Sequence, residues 1–165
     1  MKSKFYKLLL TAFISAFSLS GCTDEHYTVE ENTYVGAEVT TRQYIVYADE
    51  WEWNDIYKRY EYEVGDVKEL TEDIYETGSV IGTIFLEEVD LDNKPYEIQK
   101  TLPFVQTYPN ENGPGTYTET ISFDIYYQAE VSSVMFYIQS LDGRRETPHL
   151  GDYTFKVAYV KDSGY

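Results

Sequence analysis

The stretch YTETISFDIYY, residues 117–127, has the clearest strand pattern of the chain. Successive side chains of an extended strand point to opposite faces of a sheet. One face of this stretch carries Ile121, Phe123, Ile125 and Tyr127, and the other carries Ser122, Asp124 and Tyr126. The alternation predicts a strand with one buried and one solvent-facing side, which is typical of antiparallel sheets.

Similar strand signals recur on both sides of this stretch. Strands are predicted over 34–48, 59–64, 79–88, 96–101, 134–140 and 153–160. The 79–88 segment is largely apolar and β-branched, so we expect it to be buried on both faces. Turn signals separate the strands, and the strongest is PNENGPG at 109–115.

These elements predict an all-β fold made of one domain. The fold class is a single antiparallel β-sandwich, immunoglobulin-like or related, with about seven to eight strands; a barrel is the alternative. LTEDIYETG at 70–78 predicts one short helical turn, which Thr71 caps and Gly78 ends.

The amino-terminal region has the organisation of an export signal. Three lysines lie within residues 1–7, an uncharged run covers 8–19, and the small residues Ser20 and Gly21 follow. The uncharged run is shorter than the roughly 20 apolar residues that span a bilayer. Residues 1–21 are therefore predicted to be a secretory signal peptide.

Cys22 is the only cysteine of the chain. Together with Leu19, Ser20 and Gly21 it resembles the lipobox of bacterial lipoproteins. The resemblance implies that the signal is cut before Cys22 and that its thiol carries diacylglycerol, which would hold the protein on a membrane, since acyl chains contribute about 0.8 kcal/mol per buried CH₂. The alternative is an ordinary free cysteine, for which the chain offers no disulfide partner.

The residues after Cys22 are acidic. Thr23, Asp24 and Glu25 resemble the export signal of Bacteroidetes-type surface lipoproteins, which implies a location on the outer face of the bacterial outer membrane. The alternative is a solvated tether that happens to be acidic. We expect a flexible acidic tether over 22–33 and the sandwich domain over 34–165, a length that suits one domain.

Composition limits the possible partners. Residues 1–21 contain three lysines and no acidic residue, so residues 22–165 carry 29 acidic and 10 basic side chains, a formal charge of −19. Such a charge repels nucleic acid, and we expect no nucleic-acid partner. Cations, basic proteins and neutral glycans stay possible. The aromatic content of 17% argues against global disorder.

Five short segments are similar to parts of small Bacteroidetes surface lipoproteins. They are WEWN at 51–54, RYEY at 59–62, LTEDIYETGSV at 70–80, LPFV at 102–105 and GDYTFKVAYV at 151–160. These motifs are structural, so the resemblance implies a sandwich fold and a lipid-anchored location. It implies no activity, because the function of such proteins is largely unassigned.

The sequence contains no recognisable catalytic or metal-binding motif. His26 and His149 do not provide the ligand spacing of a zinc site. DLDN at 90–93 lacks the glycine and distal glutamate of a calcium loop and predicts a turn instead. A nucleophile elbow is absent. We expect no metal, no cofactor, no catalytic residue and a non-enzymatic protein.

Aromatic residues concentrate between 51 and 60. The candidate ligand-binding residues are Trp51, Trp53, Tyr57 and Tyr60. They are expected to form a platform on which sugar rings stack, with acceptors for sugar hydroxyls drawn from Asp49, Glu50, Asn54 and Asp55. The alternative is that one tryptophan packs between the sheets and the tyrosines line the core.

The sequence thus predicts a lipid-anchored, non-enzymatic binding or assembly module of the cell envelope. Its partner would be an envelope protein, or, in the alternative, a glycan. A glycan-binding module requires an exposed tryptophan with carboxylates around it. A protein-interaction module requires instead an exposed edge strand or apolar patch.

Overall fold

The computed structural model describes residues 29–34, 36–109, 114–128, 131–145 and 150–162. The elements in chain order are β1 (Val29–Tyr34), β2 (Ala37–Val46), β3 (Glu52–Asn54), β4 (Arg59–Gly65), α1 (Glu72–Glu76), β5 (Ser79–Val89), β6 (Pro95–Thr101), β7 (Phe104–Pro109), β8 (Thr116–Gln128), β9 (Val131–Ser140) and β10 (Tyr153–Asp162). The predicted signal peptide, Cys22, Thr23 to Glu25 and both histidines lie outside the described residues.

The strands form two five-stranded sheets. Sheet one has the order β1-β2-β10-β5-β6 and sheet two the order β3-β4-β9-β8-β7. Every pair of neighbouring strands is antiparallel. The antiparallel β-sandwich is therefore confirmed, and the two sheets remain separate in the described residues.

The described residues contain ten strands instead of the predicted seven or eight. The sequence prediction missed the edge strands β1, β3 and β7, which are three to six residues long. An edge strand pairs on one side only and is often short or polar, so it leaves little apolar periodicity in the sequence.

The predicted tether at 22–33 overlaps β1. Residues Val29–Tyr34 pair with β2 over its first six residues, in a register that places Val29 opposite Arg42 and Tyr34 opposite Ala37. The prediction of a tether over 29–33 is therefore wrong. VEENTY is too polar to show a pattern of burial, and its strand conformation comes from backbone pairing with the edge of β2.

The core lies between the two sheets and is rich in aromatic rings. Phe136 of β9 stacks on Phe155 of β10 with ring centroids 4.3 Å apart, which joins the two sheets near their centre. The inward face of β8 matches the prediction: Ile121 is buried, and Phe123, Ile125 and Tyr127 pack against the core.

The predicted helical turn is α1. The Thr71 side chain accepts a hydrogen bond from the Ile74 backbone N–H, so Thr71 is the N-cap, as predicted. The helix ends at Glu76, before Gly78. A Cβ at position 78 would lie 2.9 Å from the Ile74 Cα and even closer to the Val160 carbonyl oxygen. Gly78 thus allows α1 to approach β10.

The prediction that 79–88 is buried on both faces is wrong. Within β5 only Gly82 and Ile84 are buried, and the Ile81 side chain is 48% exposed. No described segment covers the outer face of sheet one at this strand, so its apolar residues there remain in contact with solvent.

Candidate ligand-binding cleft

Trp51 belongs to the core. It is 7% exposed, and its ring lies edge-on to the rings of Tyr62, Tyr153 and Phe155, with centroid distances of 6.1 to 6.5 Å. Its indole N–H donates to the Gly151 carbonyl oxygen at 3.3 Å. The prediction that Trp51 contributes to a surface platform is therefore wrong. The chain crosses here from sheet one to sheet two, and the large ring fills the space between them.

Trp53 lies in β3 and is half-buried. Its ring packs edge-on against Tyr60 at 5.0 Å, and the Arg145 guanidinium lies 5.9 Å from the ring centroid. Tyr60 also donates its hydroxyl hydrogen to the Arg145 carbonyl oxygen at 2.9 Å. Trp53, Tyr60 and Arg145 thus pack as one cluster on the β3–β4 hairpin.

Asp55 fixes the orientation of the Trp53 ring. Its Oδ1 accepts a hydrogen bond from the Trp53 indole N–H at 2.9 Å and a longer one from the Lys58 ammonium at 3.4 Å. The hydrogen bond from Trp53, followed by that from Lys58, lowers the pKa of the Asp55 carboxyl below its usual value. The carboxylate therefore stays ionised and holds the indole in place.

Tyr57 lies in the turn between β3 and β4 and is 60% exposed. The turn is closed by Asn54, whose Oδ1 accepts hydrogen bonds from the Ile56 and Tyr57 backbone N–H groups at 2.9 and 3.1 Å. The Tyr57 ring faces the Arg59 guanidinium at 5.1 Å. The hairpin therefore packs Trp53 against Tyr60, with Arg145 over the Trp53 ring, while the Tyr57 ring lies against Arg59.

A cleft of about 610 Å³ lies beside Trp53, and we call it the acidic cleft. Five carboxylate side chains contribute to its lining: Glu50, Glu52, Asp55, Glu61 and Glu63. Its apolar lining comes from Trp53, Ile56, Tyr62 and Met135. A shallower hollow of about 460 Å³ shares Glu63 and Met135 with the cleft and extends it across the outer face of sheet two.

Arg59 offsets part of this negative charge. Its guanidinium lies 2.6 Å from the Glu61 carboxylate and 3.1 Å from that of Asp124, and it covers the Tyr137 ring at 4.0 Å. Glu52 and Glu63 are exposed and form no ion pair with any described residue. The acidic cleft therefore keeps a negative potential, which suits a cationic group.

The pKa of the Tyr62 phenol responds to the negative charge of the cleft. Burial raises the pKa of the Tyr62 phenol, and the negative charge of Glu50 raises it further.

The edge of β4 is half covered. Strand β3 pairs with Arg59, Tyr60 and Glu61 and extends no further. On its other side β4 pairs with β9 from Tyr60 to Gly65. From Tyr62 to Gly65 the outer edge of β4 thus has no strand partner among the described residues. Tyr62 and Glu63 line the acidic cleft, so the cleft lies beside this open edge.

Sequence reasoning found part of this site. It named Trp53, Glu50 and Asp55 but did not include Glu52, Glu61 and Glu63. The alternation of Glu61 and Glu63 with tyrosines in β4 was a usable signal, because it places both carboxylates on the outer face. Met135 comes from a distant strand, and no local signal in the sequence connects it with the hairpin.

Within the described part of the chain, no group of three or more His, Cys, Asp or Glu side chains is arranged to hold a metal ion. At the predicted 90–93 turn, the Asp90 carboxylate accepts hydrogen bonds from the Asp92 and Lys94 backbone N–H groups, each at 2.9 Å. The described helix is neither long nor apolar enough to span a bilayer.

No protein-family model matches the chain, and neither a curated protein nor a solved structure shows significant similarity to it. The candidate site is therefore interpreted from its own geometry and charge.

Proposed function

We propose that this protein is a lipid-anchored component of the bacterial cell envelope, and that its sandwich is a non-enzymatic binding or assembly module. The observation that carries the binding role is the acidic cleft, which adjoins the half-covered edge of β4. A concave site with apolar walls and several carboxylates suits recognition of a partner by shape and charge.

The anchor is proposed from the sequence alone. The segment from Leu19 to Cys22 resembles a lipobox, and the acidic residues from Thr23 to Glu25 resemble a surface-export signal. In this proposal a lipid on Cys22 holds the protein in the outer membrane, and the sandwich faces the exterior of the cell.

The anchor is tested by growing the bacterium with an alkyne-labelled fatty acid. The wild-type protein should incorporate the label, and the Cys22→Ser variant should not. Protease added to intact cells should degrade the wild-type sandwich. Labelling of the serine variant would refute the lipid on Cys22, and protection from protease would place the domain on the inner face.

The binding role is tested by cross-linking the lipidated protein in isolated envelopes. The test variant combines Glu52→Lys with Glu63→Lys, which reverses two exposed charges in the acidic cleft. The matched control combines Glu87→Lys with Glu97→Lys. These two exposed residues lie opposite each other in β5 and β6 of sheet one, whereas β3 and β4 belong to sheet two. We expect the cleft variant to form clearly less of the specific adduct than the wild-type protein, and the control to form as much. Equal adducts in all three proteins would remove the cleft from the proposed function.

A glycan remains a second candidate partner, favoured by one observation. Trp53 and several carboxylates line the same cleft, which is the arrangement that sugar recognition uses. A glycan ligand should shift the tryptophan emission of the wild-type protein, and Trp53→Ala should abolish binding. A panel of neutral glycans that leaves the emission unchanged would remove this candidate.

A further inference from the structure

The open edge of β4 indicates what kind of partner the acidic cleft takes. Resting on the proposed binding function, we propose that the cleft binds an extended basic segment of another protein, which adds as a strand beside Tyr62–Gly65. The added strand would lie beside the last residues of β4 and extend sheet two at this edge.

The backbone of β4 offers hydrogen-bonding groups along this edge. The N–H and C=O groups of successive strand residues point alternately to the two sides. On one side, β4 pairs with β9 as far as Gly65. The backbone N–H and C=O groups of residues 62–65 that point to the other side can therefore pair with an incoming strand. Extended peptides bind to such edges through main-chain hydrogen bonds.

Several side chains around this edge are acidic. Glu61 and Glu63 lie on the outer face of β4, and Glu52 lies opposite Glu61 in β3. Side chains directly opposite each other on paired strands have Cβ atoms about 4.5–5.5 Å apart. A lysine or arginine opposite Glu63 on an added strand would therefore reach the Glu63 carboxylate. Glu52, at the end of β3 next to the open edge, adds a second carboxylate, and neither residue forms an ion pair within the described residues.

Charge also selects against other occupants of this edge. A second copy of the chain, paired edge to edge along 62–65, would bring the Glu63 side chains of both copies close together, and like charges opposite each other destabilise strand pairing. A neutral glycan would use the cleft but leave the backbone groups of the open edge without strand partners. A basic strand would pair with the backbone groups of the open edge and would also place positive charge beside the carboxylates of the cleft.

The test uses the full lipidated protein in detergent and a short peptide that alternates lysine with valine. Peptide binding should slow amide hydrogen exchange within Tyr62–Gly65. The matched control peptide has the same sequence with N-methyl groups on alternate residues, which removes main-chain donors and keeps the charge. We expect the control peptide to bind at least about 10-fold more weakly, because each lost main-chain hydrogen bond is worth roughly 1 kcal/mol.

The cleft charges are tested with the same peptide. Combining Glu52→Lys with Glu63→Lys should weaken binding about 2- to 10-fold, as expected for two exposed ion pairs. The Glu87→Lys and Glu97→Lys control should change the affinity by less than about 2-fold, because its charges lie at the other sheet and are screened over roughly 10 Å at 0.1 M salt.

The possible outcomes separate this inference from the proposed function. Equal affinity for the two peptides would overturn strand addition. Self-association that blocks the edge would indicate a second copy as the occupant, and glycan binding without peptide binding would indicate a sugar. If the envelope adduct depends on the cleft but the peptide does not bind, only the inference of a basic strand fails. If the adduct also fails to depend on the cleft, the proposed binding site fails with it.

Discussion

The phenolic oxygens of Tyr44 and Tyr159 lie 2.8 Å apart and form a hydrogen bond between the neighbouring strands β2 and β10. Both side chains are buried, with 4% and 0% exposure. The Arg42 guanidinium lies 5.6 Å from the centroid of the Tyr44 ring and forms an ion pair with Glu69 at 2.9 Å. A polar pair inside the apolar core is stable only while each hydroxyl has its partner.

Removing either hydroxyl should therefore destabilise the fold. We expect Tyr44→Phe or Tyr159→Phe to lower the free energy of unfolding by about 1–2 kcal/mol, since each leaves the other hydroxyl without this partner. The double variant should cost less than the sum of the two, because no hydroxyl is then left without its partner. Urea unfolding of the four proteins measures this coupling, and strict additivity would contradict it.

The same pair should make the fold sensitive to alkali. Burial, followed by repulsion from the Tyr44 phenolate when it forms and by the hydrogen bond with Tyr44, raises the pKa of the Tyr159 phenol above its usual value of 10.0. A raised pKa means that the folded state keeps the proton more tightly than the unfolded chain. Stability from this group is therefore complete below about pH 10 and decreases as the pH rises further, by up to about 1.4 kcal/mol per pH unit. Unfolding measured from pH 8 to 11.5 should show a smaller decrease in Tyr159→Phe, and identical slopes would contradict the assignment.

Gly82 provides a test of packing between the sheets. The Phe123 ring of sheet two rests on this glycine of sheet one, and a Cβ there would lie 2.7 Å from Phe123 Cδ1 and 3.1 Å from Leu102 Cδ1. We expect Gly82→Ala to reduce stability by about 1–3 kcal/mol through overpacking. Gly65→Ala, also in a strand, is the control, because no atom lies within 4 Å of its added Cβ.

The packing explanation predicts a rescue. Replacing Phe123 by leucine should cost less stability in the Gly82→Ala background than in the wild-type protein, because the smaller side chain leaves room for the new methyl group. Equal stability of the Gly82→Ala and Gly65→Ala proteins would show that the Phe123 ring does not limit the space at position 82.

The two tryptophans should report different parts of the molecule. A protein that keeps only Trp51, made by Trp53→Phe, should emit at shorter wavelength and resist acrylamide, because Trp51 is 7% exposed. The protein that keeps only Trp53, made by Trp51→Phe, should be quenched more readily and should respond to a ligand in the acidic cleft. Similar quenching of both proteins would contradict the burial of Trp51.

Trp51→Phe should also destabilise the fold more than Trp53→Phe does. Trp51 fills space between the sheets against Tyr62, Tyr153 and Phe155, so a smaller ring leaves part of that space empty. Thermal unfolding compares the two variants, and the reverse order would contradict the core position of Trp51.

Local patterns predicted the parts of the fold that depend on local rules. The alternation from Ile121 to Tyr127 gave the inward face of β8, and the Thr71 cap marked the start of α1. Polar edge strands such as β1 depend on backbone pairing with residues elsewhere in the chain, so their sequence shows little periodicity. The identity of the buried tryptophan was not predictable either, because Trp51 and Trp53 are two positions apart and their burial depends on where the chain crosses between sheets.

The acidic cleft, too, was predictable only in part. The aromatic and acidic residues of the hairpin were visible in the sequence, because they lie within a few positions of one another. The open edge was not, since it results from the length of β3, which pairs with only three residues of β4. Strand length depends on the path of the whole chain, and local sequence specifies it poorly.

The positions of β1 and β10 give the sandwich an unequal response to mechanical force. Strand β1 is an edge strand held by one ladder of six residue pairs, whereas β10 lies between β2 and β5. Tension applied at Val29 would open the β1 ladder one pair at a time and release about 20 Å of chain before the rest of the domain bears load. Tension applied at the end of β10 would have to disrupt two ladders together. If the protein is pulled from its amino-terminal side, β1 would act as an extensible link that absorbs strain while the acidic cleft stays folded.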